Sequence, residues 1–229
     1  MQPRTLAIFV ILLPLLASNG AYLFSAYEGT VPWCMPYIDG CTTISRAGRS
    51  GNSILIYRVL VIAYSVLLIW FWIYAKSWLD LLHGHGTKTA HMILWLGLIG
   101  SMALIVYIDF LGTTGEINRF MRRIGVLLYF TLTPLAQLLL LRQHYMILRQ
   151  KLESPIIPKV LQYQLMILIL MLVIVAISIL LVATDHNTYE RENIVEWNYS
   201  LLLILYFSGM LFLWKDYRHD FTYSKRTIG

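Results

Sequence analysis

The sequence predicts an all-α membrane protein, a bundle of six transmembrane helices joined by short loops. Six apolar runs each approach the roughly 20 residues that a helix needs to cross a bilayer. Only 13% of the 229 residues are charged, whereas a soluble domain carries about 25%. The runs are continuous rather than alternating, which argues against a β-barrel, and helices satisfy their own backbone hydrogen bonds in lipid. We place the helices at about residues 5–27, 54–75, 91–112, 124–141, 160–183 and 197–214.

The connections are too short for a separate soluble domain, so residues 1–229 are expected to form one membrane domain. The first run continues to Phe24 without a clear A-x-A cleavage site, so we interpret it as a membrane anchor; a cleaved signal peptide is the alternative. Residues 28–53 form the longest connection, and their Pro and Gly content predicts a folded loop. We expect a short turn at 113–123, an acidic loop at 184–196 and a basic loop at 142–159 on the opposite side.

The charges divide unevenly between the two sets of loops, and this predicts the orientation of the chain. One set of flanks carries eleven basic residues against four acidic ones, and the other carries seven against eight. Loops rich in Lys and Arg stay in the cytoplasm. We therefore expect both termini to be cytoplasmic and residues 28–53 to be extracytosolic. The basic cytoplasmic face is a possible binding surface for a protein partner.

Several other classes of partner or cofactor find no support in the sequence. The net charge of +6 is spread without a basic block, so we predict no nucleic-acid partner. His83, His85 and His91 flank a glycine-rich turn with no acidic ligand beyond Asp80, so we interpret them as a solvated loop and predict no metal. No cofactor motif is present. Gly97, Gly100 and Ser101 suit close helix packing, within one chain or between chains.

Cys34 and Cys41 are the only cysteines, and both fall in the 28–53 loop. With six residues between them, they are a candidate disulfide if the loop faces an oxidising compartment. Two free thiols remain the alternative. Two cysteines alone do not make a zinc site of the usual four ligands.

Charged side chains at the outer ends of the helices are the strongest candidates for a site. Charges inside a membrane are costly and usually face a cavity or a partner, and guanidinium groups bind phosphate with two parallel hydrogen bonds. Arg58 and Asp109 lie at similar depth, which would allow them to pair, and Tyr57 and Tyr64 share a neighbouring helix face. The candidate polar pocket consists of Asp39, Arg58, Asp109, Arg122, Arg123 and Glu196.

Four interpretations of this pocket remain open. In the first, the arginines hold the phosphate headgroup of a membrane lipid and the acids orient them. In the second, the charges form a structural ion-pair network only. In the third, the protein is a lipid acyl-chain-modifying enzyme that uses Asp109 or Glu196 as acid or base and Ser45 or Thr43 as hydroxyl. The fourth, a channel or transporter, has few polar residues to line a path: Gln137, Ser178 and Ser208.

Short motifs along the whole chain resemble the Frag/DRAM/Sfk-type family, which includes the N-terminal domain of Cwh-type proteins. Pro36-Tyr37-Ile38-Asp39 follows the first helix, although without the serine of the family's P-Y-I-S-D-x-G motif. Thr43 to Gly48, Asp109-Phe110, Arg122 to Gly125 and Glu196-Trp197 follow in order. The resemblance implies six helices, cytoplasmic termini and a role in lipid organisation or remodelling. It places Asp39 and Glu196 within recognisable motifs.

Overall fold

The computed structural model describes residues 1–150 and 155–218 of the chain. Over these ranges it has eight helices and no strand, and six of the helices are long and apolar enough to cross a membrane. The predicted six-helix bundle with a folded first loop is thus confirmed. The helices are α1 (Pro3–Tyr27), α2 (Pro36–Asp39), α3 (Ile44–Arg49), α4 (Ser53–His83), α5 (Lys88–Asp109), α6 (Glu116–Gln150), α7 (Pro158–Ala183) and α8 (Tyr189–Leu213).

Two of the spanning helices are much longer than the apolar runs that predicted them. α4 continues eight residues beyond position 75, and α6 extends in both directions past 124–141. Hydropathy identifies only the part of a helix that suits lipid. The helix itself can continue beyond that part through charged residues, because they maintain its backbone hydrogen bonds. Lys76 and Asp80 illustrate this, because their side chains form an i,i+4 ion pair at 2.5 Å on the extension of α4.

α8 begins at Tyr189 rather than at residue 197, so most of the predicted acidic loop at 184–196 is helical. The Thr188 side chain caps the helix by accepting from the Arg191 amide. Glu190 and Glu192 occupy the first turn, where negative charge is favourable next to the helix dipole. As a result Glu196 lies inside α8, about two turns from its start.

The spanning helices form a ring that is open along one seam. α1 packs on α4 and α8, α4 on α5, α5 on α6, and α7 on α8, whereas α6 and α7 touch only sparsely. α7 is the most apolar of the six helices and the least buried. The core between the other helices is aromatic, with the Phe71 ring centroid 4.8 Å from that of Phe207 and 4.9 Å from that of Trp214.

Residues 28–53 contain α2 and α3 and fold over one end of the bundle, called here the α2–α3 end. A disulfide joins Cys34 to Cys41 at the base of this loop. Gly40 ends α2 in the left-handed conformation at φ 61°, and a Cβ there would lie 2.0 Å from the Glu190 carbonyl oxygen. Glycine therefore permits both the turn and the close approach of the loop to α8.

Candidate functional site

Two segments far apart in the sequence meet at the α2–α3 end and fix the loop to α8. The Trp197 Nε1 donates to the Thr42 carbonyl at 2.8 Å, and Asn193 Nδ2 donates to the Gly40 carbonyl at 2.6 Å. The Tyr37 ring packs edge-on against Trp197 with centroids 5.1 Å apart. Because these hydrogen bonds go to backbone carbonyls, they fix the position of the loop independently of which side chains the loop carries at these positions.

The opposite side of the loop is fixed to α1. The Tyr22 hydroxyl donates to the Cys34 carbonyl and accepts from the Cys34 amide, both at 2.7 Å. Ser25 Oγ donates to the Ala47 carbonyl at 2.7 Å, at the end of α3 nearer α4. The disulfide to Cys41 closes the chain between these attachments. α3 is thereby held as a roof over the interior of the bundle.

A cavity of about 390 Å³ lies beneath α3, between α1, α4, α5, α6 and α8. We call it the polar cavity, because the side chains that line it include charged and hydroxyl groups. Its volume falls within the range of about 300–1,000 Å³ that is typical of small-molecule sites. The hydrophilic lining side chains are Ser18, Ser45, Tyr57, Tyr64, Tyr107, Arg122, Arg123, Tyr129, Glu196 and Ser200.

The two arginines of the polar cavity have no carboxylate partner in the described ranges. Arg122 is partly buried, and its Nη1 contacts the carbonyl oxygens of Phe110 and Thr113 only at 3.4 Å each. Arg123 is exposed. The one ion pair among residues 1–150 and 155–218 is Lys76–Asp80, at the opposite end of the bundle. The guanidinium groups thus retain donors for an anionic ligand.

Glu196 and three hydroxyl groups form the other polar side of this cavity. The Glu196 Oε1 accepts from the Ser45 amide at 3.4 Å, at the start of α3. The Tyr107 hydroxyl faces the side chains of Ser45 and Tyr57. Deeper in the bundle, the Tyr64 and Tyr129 hydroxyls are hydrogen-bonded to each other at 2.8 Å. The site therefore offers donors and one carboxylate acceptor around a central space.

Three of the six candidate residues lie outside this cavity. Arg58 Nη2 donates to the backbone carbonyls of Leu111 at 2.5 Å and Asp109 at 3.4 Å, so it caps the end of α5. Pairing with the Asp109 carboxylate does not occur, and that side chain is exposed. Asp39 is also exposed, and its Oδ2 accepts from the Met35 amide at 2.7 Å. Arg58 and Asp39 thus bind local backbone groups.

The structure thus brings together Arg122, Arg123 and Glu196, and it adds residues that the sequence did not single out. Tyr107 and Tyr129 belong to α5 and α6, in apolar runs that the sequence identifies only as transmembrane helices. No feature of the sequence marks them as cavity residues. A network of ion pairs among the six candidates does not occur within the described part of the chain.

A second, larger cavity opens between α6, α7 and α8, with a volume of about 640 Å³. We call it the apolar groove. It meets the polar cavity, since Phe130 and Glu196 line both. The other residues that line it are Thr131, Pro134, Leu135, Leu138, Leu168, Met171, Leu172, Val175, Ser178, Ile179, Val195 and Tyr199.

The fold and these two cavities define a multi-pass integral membrane protein with a polar site at one end of its helix bundle. No family profile, curated protein or solved structure matches the chain. The assignment of function consequently depends on the chemistry of the two cavities.

Proposed function

We propose that this protein binds a membrane lipid with a phosphate-bearing headgroup in the polar cavity. The observation that carries the proposal is that Arg122 and Arg123 line a ligand-sized space at one end of a membrane bundle, with no carboxylate among the described residues paired to either. A buried or half-buried guanidinium without a counter-ion is costly in a membrane. A lipid phosphate supplies that counter-ion and accepts two parallel hydrogen bonds from a guanidinium group.

The rest of the cavity suits the parts of a headgroup that surround the phosphate. Glu196 accepts hydrogen bonds from hydroxyl or ammonium groups, and Ser45, Tyr57 and Tyr107 both donate and accept. Glu196 lies on α8 and the arginines lie on α6, and they form no ion pair with one another in the described ranges. Because all three line the polar cavity, one ligand there can contact both helices.

The proposal includes an orientation for the site. With both termini in the cytoplasm, the α2–α3 end is extracytosolic and the polar cavity lies at the headgroup level of the outer leaflet. The excess of Lys and Arg at the opposite end supports this, and that basic end remains the candidate surface for a protein partner. The resemblance to six-helix proteins of lipid organisation supports the same class of ligand.

The test is the mass spectrometry of lipids that co-purify with the full-length protein in mild detergent. We expect wild type to be enriched in one phosphate-bearing headgroup class over the bulk membrane. Arg122→Ala combined with Arg123→Ala should lower that enrichment about tenfold or more, because charge-assisted hydrogen bonds contribute about 1.5–3 kcal/mol each.

Arg119→Ala is the control, because it removes one arginine charge from the same end of α6 at an exposed position outside the cavity. It should retain the wild-type lipid profile. A wild-type profile equal to that of the bulk membrane, or equal losses in the control and the double variant, contradicts the proposal.

A second candidate function is acyl-chain remodelling, since the structure places Ser45 beside Glu196 in one cavity. Thr43 instead caps α3 through the Arg46 amide, which leaves Ser45 as the hydroxyl to test. Release of labelled fatty acid from a phospholipid by wild type, and its loss in Ser45→Ala and Glu196→Gln, would support an enzyme. Unchanged lipid after long incubation with the pure protein favours binding alone.

A further inference from the structure

The apolar groove exists because the helix ring is open between α6 and α7. Gln164 Nε2 on α7 donates to the Tyr206 carbonyl on α8 at 3.3 Å, which fixes α7 to α8. α6 reaches α8 only through long side chains, for example by the Tyr206 hydroxyl that donates to the Gln137 carbonyl at 2.7 Å. Side-chain bridges of this length hold the backbones apart and leave a space that faces the bilayer.

A proline in α6 shapes the point where the groove meets the polar cavity. Pro134 has no amide hydrogen, so the Phe130 carbonyl four residues earlier loses its partner within the helix. The Tyr199 hydroxyl on α8 donates to that carbonyl at 3.1 Å. Phe130 and Glu196 form the wall that the two cavities share, and Tyr199, one turn after Glu196, lines the groove beside them.

The groove has the depth of one lipid leaflet. Its α7 side runs from Leu168 to Ile179, a rise of about 16 Å at about 1.5 Å per residue. Half of the hydrocarbon core of a bilayer is about 15 Å. The groove therefore starts at the level of the polar cavity and ends near the middle of the membrane.

The continuity of the groove with the polar cavity argues for an acyl chain rather than a partner helix. Phe130 and Glu196 line both spaces, so the chain of a lipid whose headgroup lies in the polar cavity can reach the groove directly. The side chains along the groove are mostly apolar, and each methylene that a hydrocarbon chain buries there leaves no polar group unsatisfied.

We infer that the apolar groove holds one acyl chain of the lipid whose phosphate occupies the polar cavity, and that the lipid enters sideways between α6 and α7. This inference rests on the proposed function, because the position of the headgroup in the polar cavity determines the end of the groove at which the acyl chain enters. The lipid thus bridges both cavities past Phe130 and Glu196, and the groove adds selectivity for chain length to the headgroup selectivity of the arginines.

The experiment uses full-length protein in vesicles that contain a phospholipid of the enriched headgroup class with a photoreactive diazirine in the middle of one chain. After irradiation, peptide mass spectrometry locates the labelled residues. We expect labels on Leu138, Leu172 and Val175, which line the groove. Ile177 faces away from it on the same helix and reports on bulk lipid. Excess unlabelled lipid of the same headgroup class should remove the groove labels and leave that on Ile177.

Two variants sharpen the result. Val175→Trp fills the groove and should lower the groove labels about tenfold, while Ile177→Trp adds the same ring to the outer face and should leave them unchanged. Arg122→Ala should also lower the groove labels about tenfold, because the headgroup anchors the chain.

The outcomes separate this inference from the function on which it rests. Headgroup enrichment that depends on Arg122 together with labels only at the Ile177 face overturns the groove site and leaves the headgroup site standing. Groove labels that persist in Arg122→Ala overturn the claim that one lipid occupies both cavities. Lipid retention that does not depend on Arg122 at all contradicts the proposed function itself.

Discussion

At the scale of single residues, the pairing of Pro134 with Tyr199 shows how a local defect becomes a tertiary contact. A proline inside a helix removes one backbone donor, and in lipid the freed carbonyl has no water to replace it. The Tyr199 hydroxyl supplies the missing donor from the next helix at 3.1 Å. The defect and the contact therefore exist as a pair, and neither is favourable alone.

This pairing makes a prediction that a double-mutant cycle tests. Tyr199→Phe should destabilise wild type by about 1 kcal/mol, the scale measured for hydrogen bonds between membrane helices. In a Pro134→Ala background the alanine amide can bond the Phe130 carbonyl within α6, so the same change should cost less. Thermal midpoints of the four proteins in one detergent measure both costs. Equal costs in the two backgrounds would show that the bond does not depend on the proline.

The sequence gives a partial account of the site residues, for a physical reason. Arg122, Arg123 and Glu196 could be chosen because charges near helix ends in a membrane need a cavity or a partner. The same rule selected Arg58, Asp109 and Asp39, yet Arg58 Nη2 donates to a local backbone carbonyl, a local backbone amide donates to Asp39, and the Asp109 side chain is exposed. The sequence shows that a charge in the membrane is costly, but it does not show whether the charged group binds a backbone carbonyl, a backbone amide or a ligand.

At the scale of helices, α5 and α6 pack with almost no space between their backbones at Gly125. A Cβ built on Gly125 would lie 2.7 Å from the Ala103 carbonyl oxygen and 2.7 Å from the Tyr107 amide nitrogen. Both are backbone atoms, so only a separation of the helices can relieve the contact. Tyr107 is also a cavity residue, and this close packing positions it.

Gly125→Ala should therefore destabilise the protein by about 1–3 kcal/mol, the usual cost of overpacking, and lower the Tm by several degrees. Gly20→Ala on α1 is the control, because no atom lies within 4 Å of its Cβ position. Alanine is the better helix former, so that variant should match wild type or melt slightly higher. Thermal unfolding in the same detergent compares them, and a Gly125→Ala protein as stable as the control rules out the tight interface.

The number of helices could be predicted from apolar length, and so could the ends of α1 and α7, but the extent of α4 and α6 and the start of α8 could not. The run at 124–141 gave the membrane part of α6, while the helix extends from Glu116 to Gln150 because its flanking charged residues are also good helix formers. The acidic stretch before residue 197 likewise belongs to α8, where the Thr188 cap starts the helix. Hydropathy does not take account of helix capping or of helical turns that extend beyond the lipid.

At the scale of the whole molecule, the even number of spans in the described ranges places the start of α1 and the end of α8 at the end opposite α2 and α3. The six-helix architecture followed from composition and run length alone. The order in which the helices pack could not be predicted, and neither could the open seam between α6 and α7. Apolar helices of similar hydropathy contain no sequence signal for which neighbour they pack against. The apolar groove, which depends on that seam, was accordingly invisible in the sequence.

The orientation predicted from the charges is tested by labelling engineered cysteines with a membrane-impermeant maleimide. Thr114→Cys lies in the exposed α5–α6 connection at the α2–α3 end and should react in intact cells. His85→Cys is exposed in the α4–α5 connection at the other end and should react only after permeabilisation. The native Cys34 and Cys41 are bonded to each other and give little background. The reverse pattern would invert the proposed orientation.

The disulfide has a consequence for how the protein is handled. The chain runs from Cys41 directly into Ile44 and Ser45, which roof the polar cavity. Reducing agents that are added routinely during the purification of membrane proteins would release this short loop and lengthen the tether of the roof. A ligand captured in the cell could then be lost at the bench, so thiol-free buffers belong to the preparation of this protein as much as the choice of detergent does.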